Sequence, residues 1–225
     1  MTKHAGMSTA YLDWEVRWRS EEGRADWLEP EADVRNLSAH LHHAGVRKVL
    51  DLGCGVGRHT LYLAALGFAV SALDASESGL AHAREITDQL KCQIDFRVGS
   101  MTDLPYEDNS FDYVLAWNVI YHGDGAVVRR SIGEIARVLK PGRIYQGTML
   151  SKRNINYRLG REIAANTLIG GNTSDKEHPH YYCNARELVA LFEGFELISV
   201  IEREQRKPGS YHWHLVAESV EELAD

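Results

Sequence analysis

Asp51 and three glycines at alternate positions, Gly53, Gly55 and Gly57, end an apolar run that begins at Lys48. Without a Cβ the backbone can take positive φ and let a ligand lie directly against it, and a helix that follows offers free N–H groups to a negative group. The chemistry these residues suit is that of a cofactor cradle. A dinucleotide fingerprint needs glycines at relative positions 1, 3 and 6, and Arg58 stands where the third should be. That disfavours a pyrophosphate site and, with it, an NAD-dependent reductase. Asp74 closes the next apolar run, residues 68–73, where a carboxylate can accept both hydroxyls of a ribose. Asp74 could instead cap the helix Glu77–Leu90, a role that Ser76 can also fill.

A second group of residues could act on an acceptor. His122 follows the apolar run 113–117 and Asn118, His178 and His180 flank Pro179, and His212 and His214 flank Trp213. An imidazole, with a reference pKa of about 6.5, suits proton transfer near neutral pH. His122, just past the fourth strand, is best placed to reach a reacting group, and His178 and His180 are the other catalytic candidates. Tyr121, Tyr182, His212 and His214 are substrate-binding candidates, and strand alternation puts His212 and His214 on one face. His178, His180, His212 and His214 with the thiol of Cys183 invite a zinc hypothesis. Zinc sites usually show compact ligand pairs at characteristic spacing; these residues lack it, so the expectation is a pocket of neutral imidazoles and phenols without metal. For His122, lining a pocket or capping a helix is the bland alternative.

The elements that must hold these groups alternate strand and helix from residue 47 to about 150, with helices at 58–66, 77–90 and 125–139 and strands at 68–73, 93–98, 113–117 and 143–150. Val128, Ile132, Ile135 and Leu139 form one helical stripe. This order predicts a mostly parallel, doubly wound α/β sheet with helices on both faces. Ligands then sit at the carboxyl ends of the strands, where Asp51, Asp74 and Asn118 fall. Two further strand-like runs follow, 196–202 and 211–218.

The acidic residue before Gly-x-Gly-x-Gly resembles motif I of the class I S-adenosylmethionine-dependent methyltransferases. Four later features resemble that family in order: Asp74, the segment Gly99 to Pro105, the strand ending at Asn118, and Leu139-Lys140-Pro141-Gly142 before the fifth strand. The resemblance covers residues 46–150 and implies a seven-stranded sheet whose last strand is antiparallel. It implies S-adenosylmethionine as cofactor and S-adenosylhomocysteine as product. By it, the cofactor site comprises Asp51, Gly53, Gly55, Gly57, Arg58, Asp74, Met101, Thr102 and Asn118, with Trp14 from an aromatic arm. Ser100 stands where many members carry an acidic residue, which leaves Thr102 or Asp103 as partner for the adenine amine. The reaction implied is methyl transfer to an O, N or S atom of a small molecule. RNA or protein methylation and a non-catalytic cofactor-binding subunit are the alternatives. The insertion pattern is similar to a bacterial branch with distant likeness to the tellurite-resistance methyltransferases, which makes a soft chalcogen acceptor worth testing.

The chain reads as one domain, 1–225: a helical arm over 1–45, the cofactor core over 46–150, a substrate-side insertion over 151–184, and C-terminal strands over 185–225. Its 225 residues, 44% hydrophobic and 25% charged, suit one ample core. A formal net charge of -7 and a pI near 5.9 give no general pull toward nucleic acid. The short basic stretch from Lys152 to Arg161 reads as a solvated face. In the arm, Trp14 and Trp18 sit at i, i+4 spacing and either pack on the domain or lid the cofactor, where aromatic faces attract a sulfonium. Cys54, Cys92 and Cys183 are too scattered for a disulfide framework. The N-terminus lacks the apolar core of a signal peptide, and no run approaches the roughly 20 residues that span a bilayer. A cytoplasmic enzyme, monomer or homodimer, is expected.

Overall fold

The structure, a computed structural model, describes residues 9–91, 93–171 and 178–220. The N-terminal residues read for a signal peptide, Cys92, and residues 172–177 of the insertion lie outside the described residues. Strands β1 (Lys48–Leu52), β2 (Ala69–Asp74), β3 (Asp95–Val98), β4 (Phe111–Ala116) and β5 (Leu139–Ser151) pair in parallel in the order β3-β2-β1-β4-β5. At the far edge β10 (Tyr211–Ser219) runs antiparallel to both β5 and β9 (Phe195–Glu204). These seven strands are those expected.

The count of seven is too small for the sheet as a whole, because the insertion adds three strands: β6 (Arg161–Ala164), β7 (Thr167–Ile169) and β8 (His180–Cys183). The attachment follows from strand edges. β10 already pairs with Leu150 of β5, so β8, which pairs Tyr182 with Leu150 and Cys183 with Ser151, must use the other edge. That is the edge β4 occupies as far as Gly147. The insertion therefore continues the sheet where β4 stops, beside the segment that carries Tyr121 and His122.

Helices cover both faces. On one side α3 (Ala32–His43) and α4 (Arg58–Ala65) bring Val34, Leu41 and Leu63 onto Val49, Val70, Tyr113 and Leu115. On the other, α6 (Gly125–Val138) and α8 (Ala185–Leu191) bring Val128, Ile132, Ile135 and Leu188 onto Leu50, Val114 and Ala116. Neighbouring residues of β1 and β4 thus feed opposite cores, and β4 is buried throughout. Helix starts are set by local chemistry. Asp124 accepts from the N–H groups of Ala126 and Val127 to open α6, and Asn184 with Glu187 forms a reciprocal capping box on α8. The short helix α7 (Ile155–Leu159) carries part of the basic stretch, where Lys152 pairs with Glu187 and Arg153 with Glu202. Among the described residues no helix is long and apolar enough to cross a membrane.

Candidate active site

The register of β1 on β2 sets Leu52 beside Leu73, so the glycine turn and Asp74 emerge side by side at the carboxyl ends of neighbouring strands. Gly53, Gly55 and Gly57 all have positive φ, at 68°, 54° and 85°. Each is also crowded. A Cβ on Gly53 would lie 2.4 Å from Val119, one on Gly55 3.2 Å from Trp18, and one on Gly57 2.8 Å from Ala83. Asp74 is tied to the turn, Oδ2 accepting from the Gly55 N–H at 2.7 Å and Oδ1 from the Ser76 N–H at 2.8 Å. Burial pushes the Asp74 carboxyl up, against the hydrogen bonds that lower it. Ser76, not Asp74, caps α5 (Glu77–Leu90), its hydroxyl accepting from Gly79.

A cavity lies over this turn. Of the cofactor candidates, Gly53, Gly55, Asp74, Met101 and Asn118 line it, with Ser100, Val119 and His122. Asn118 adopts a left-handed backbone, and its side chain accepts from the hydroxyl of Thr148 at 2.9 Å. Trp14, Trp18 and Trp27 roof the cavity, with Trp14 and Trp18 stacked at 4.9 Å and Trp27 edge-on to both. Arg58 lines the wall, but its guanidinium is committed to Glu31 at 2.9 Å and to the Glu29 carbonyl, over the ring of Trp27. His59, deeply buried and beside Arg58 and Arg206, is held well below its ordinary pKa and is neutral.

Three expected cofactor residues stand back from the cavity. Gly57 packs on Ala83 at the start of α4. Thr102 turns its hydroxyl to Ser100, and its carbonyl accepts from Arg130. Asp51 is buried behind the turn, accepting from the Thr60 hydroxyl at 2.5 Å. Burial raises its carboxyl to about 6 against the Thr60 hydrogen bond and nearby Arg58; the charge of Asp74 adds to the rise.

The roof is held by α1 (Ala10–Arg17), which follows the described N-terminal edge. Glu15 reaches the start of α5 and accepts from the hydroxyls of Ser76 and Ser78 and from the Ser78 N–H. Burial would raise this carboxyl, yet those bonds and Arg19 bring it down to about 2. A carboxylate at a helix N-terminus is stabilised by the free N–H groups there. Sequence reasoning singled out the tryptophans of this arm but missed Asp13 and Glu15, because nothing in their spacing marks the distant partners.

On the acceptor side the structure gathers His122, His178 and His180. All three are buried, and one ring nitrogen of each lies within 4.8 Å of the others. His122 and His180 form an isolated antiparallel bridge, and the Tyr181 N–H donates to the Tyr121 carbonyl at 2.9 Å. His122 alone of the three lines the cavity, 6.0 Å from the ring of Trp14. The Tyr121 ring lies tilted beside His122, His180 and His212. Tyr182 packs into the core against Tyr157. His214, one strand repeat beyond His212, sits apart from the cavity against Trp117 and Asp33. Burial, then Arg203, lowers its pKa to about 4.

Residues 49–142 match the family model described as a methyltransferase domain. The ubiquinone biosynthesis O-methyltransferase of Xanthomonas oryzae pv. oryzae is 37% identical over 188 residues, covering 80% of this chain and 75% of that enzyme. The glycine/sarcosine/dimethylglycine N-methyltransferase of Actinopolyspora halophila is 37% identical over 115 residues, 49% of this chain and 20% of that protein. The chain spans 20% to 54% of the lengths of several curated relatives that it matches. The crystal structure of Burkholderia thailandensis 1,6-didemethyltoxoflavin-N1-methyltransferase, with bound 1,6-didemethyltoxoflavin and S-adenosylhomocysteine, shares the fold at a TM-score of 0.70 and 20% identity, over 98% of this chain and 94% of that one. Sheet order, glycine turn and strand-end carboxylate define a Rossmann-like nucleoside-binding methyltransferase fold. The chain belongs to the class I S-adenosylmethionine-dependent methyltransferases, and S-adenosylmethionine is its cofactor.

Proposed function

We propose that the protein transfers a methyl group to an O, N or S atom of a small molecule. The observation that carries this reading is one cavity floored by the glycine turn and Asp74 and walled at its far end by His122, which leads to His178 and His180. S-adenosylmethionine, when bound, supplies a methyl group already activated by its sulfonium. The turn at Gly53 and Gly55 and the carboxylate of Asp74 would hold the nucleoside, and Met101 and Asn118 would border it. Trp14 and Trp18 present aromatic faces that favour a cation. They also exclude water from the reacting end.

What remains for the protein is alignment, since holding a nucleophile within roughly 3 to 3.5 Å of its target removes much of the barrier. His122, with His178 and His180 behind it, orients the acceptor at the cavity. Tyr121 packs beside His122, with His212 near the same ring. The acidic chain and the aromatic-roofed cavity favour a small acceptor over RNA or a protein side chain. The two described cysteines, Cys54 and Cys183, are free buried thiols, which suits a reducing cytoplasm.

Calorimetry with S-adenosylhomocysteine and a turnover panel of phenols, amines and thiols test the reading. Binding with transfer to at least one class, and a His122→Ala variant that loses turnover by about 10²-fold or more while keeping cofactor affinity, is the expected result. Tight binding with no transfer to any acceptor would leave a cofactor-binding subunit instead.

A further inference from the structure

We infer that His122, His178 and His180 form a zinc site with one coordination position open toward the cavity. This deepens the proposed acceptor site and rests on that reading. One ring nitrogen of each histidine faces away from the cluster. His122 Nε2 lies 3.0 Å from the Asn118 carbonyl, His178 Nδ1 lies 2.6 Å from the Asp13 carboxylate, and His180 Nδ1 lies 2.8 Å from the His178 carbonyl. Carbonyls and carboxylates can only accept, so each of these three nitrogens carries its hydrogen. In a neutral imidazole the other nitrogen then holds a lone pair.

His122 Nδ1 and His178 Nε2 face each other at 3.0 Å. Two lone pairs at that distance repel unless a cation stands between them. A proton can do this for two nitrogens, whereas three converging imidazoles match a metal. Zinc with nitrogens at about 2.1 Å in a tetrahedron sets them about 3.4 Å apart, close to the 3.0 Å pair and reachable from a group that spans 4.8 Å. The outward hydrogen bonds have the form that orients metal-bound histidines, with the second ring N–H given to a carboxylate or backbone carbonyl. Backbone geometry fixes the group as well, through the bridge between His122 and His180.

Three neutral nitrogen ligands and an open fourth position are the arrangement of catalytic rather than structural zinc. Because His122 lines the cavity, the open position faces the acceptor, and the ligand class it takes is an anionic sulfur or oxygen. The spacing argument against zinc fails here because the ligands come from two segments 56 residues apart that only the β8 attachment brings together.

The test uses the full chain without a histidine tag, loaded with zinc, dialysed and analysed by elemental mass spectrometry, with cobalt(II) as a spectroscopic probe. The expected result is about one zinc per chain and the intense visible absorption of four-coordinate cobalt. Both should fall at least tenfold in His178→Ala and His180→Ala. Asp13→Asn should weaken zinc affinity roughly 10- to 100-fold. If either alanine variant fails to fold by circular dichroism, chelator competition on the wild-type chain gives the affinity directly. A wild-type chain that retains no more zinc than the variants, or zinc that survives both substitutions, overturns the site and leaves a proton between His122 and His178. Homocysteine-cofactor calorimetry on the same samples separates the two readings: intact binding without zinc sinks the metal alone, and zinc without cofactor binding sinks the methyltransferase site.

Discussion

Asp51→Asn tests whether the charge behind the glycine turn is maintained at the expense of stability. Asp51 is 1% exposed, and its folded pKa of about 6 stands above the ordinary 3.8 because burial disfavours the ionised form. A carboxyl that holds its proton more tightly when folded makes folding less favourable as pH rises from 3.8 through 6. At about 1.4 kcal/mol per pH unit the difference amounts to about 3 kcal/mol at pH 7.5 and well under 1 kcal/mol at pH 4. Asparagine can still accept from Thr60, while its extra N–H₂ adds a cost that does not change with pH. The pH dependence of the difference therefore isolates the charge. Urea unfolding of both chains at pH 4 and pH 7.5 should show the variant gaining about 2 kcal/mol relative to wild type between the two conditions. A difference that stays constant across that range would refute the assignment of a destabilising ionised carboxylate to this position.

Asp74→Ala should weaken S-adenosylhomocysteine binding by about 1.5 to 3 kcal/mol, the worth of charged hydrogen bonds; calorimetry showing an unchanged dissociation constant would remove Asp74 from the sugar site. Gly55→Val places a side chain at φ 54° with its Cβ 3.2 Å from Trp18, and binding measured by the same method should be abolished, whereas retained affinity would move the cradle elsewhere. Glu15→Gln should speed hydrogen exchange in α1 roughly tenfold without affecting β1 or β4. Because the folded pKa of Glu15 lies near 2, below the ordinary 4.5, its contribution is present above pH 4.5 and is lost as pH falls through about 2; equal exchange in both chains at pH 7 would show that the contact does not hold the helix.

What could be read from the sequence was whatever chemistry writes locally. Gly53, Gly55 and Gly57 announce positive φ because no other residue takes it cheaply, and Val128, Ile132 and Ile135 announce the buried face of α6 by their spacing. Asp74 could be placed because a strand end is a position on the chain. The three strands of the insertion could not, since pairing with β5 depends on where β4 ends and not on anything within residues 161–183. Thr102 lies in the expected loop, with its hydroxyl hydrogen-bonded to Ser100, which lines the cavity. His212 and His214 share a face as alternation requires, and the single strand repeat between them is enough to put one beside Tyr121 and the other beside Trp117.

Three consecutive residues of α1 bind the two halves of the site together. Successive side chains of a helix point about 100° apart, so Asp13, Trp14 and Glu15 necessarily face three directions. Asp13 meets His178, Trp14 meets the cavity and His122, and Glu15 meets the start of α5. The helix cannot lift from the cofactor side without also withdrawing the carboxylate that orients His178. A displacement of α1 would therefore remove the Asp13 contact to His178 together with the Trp14 contact to His122. This linkage follows from the helix period together with the three partners. It gives the α1 arm a part in ordering the acceptor side as well as in covering the cofactor.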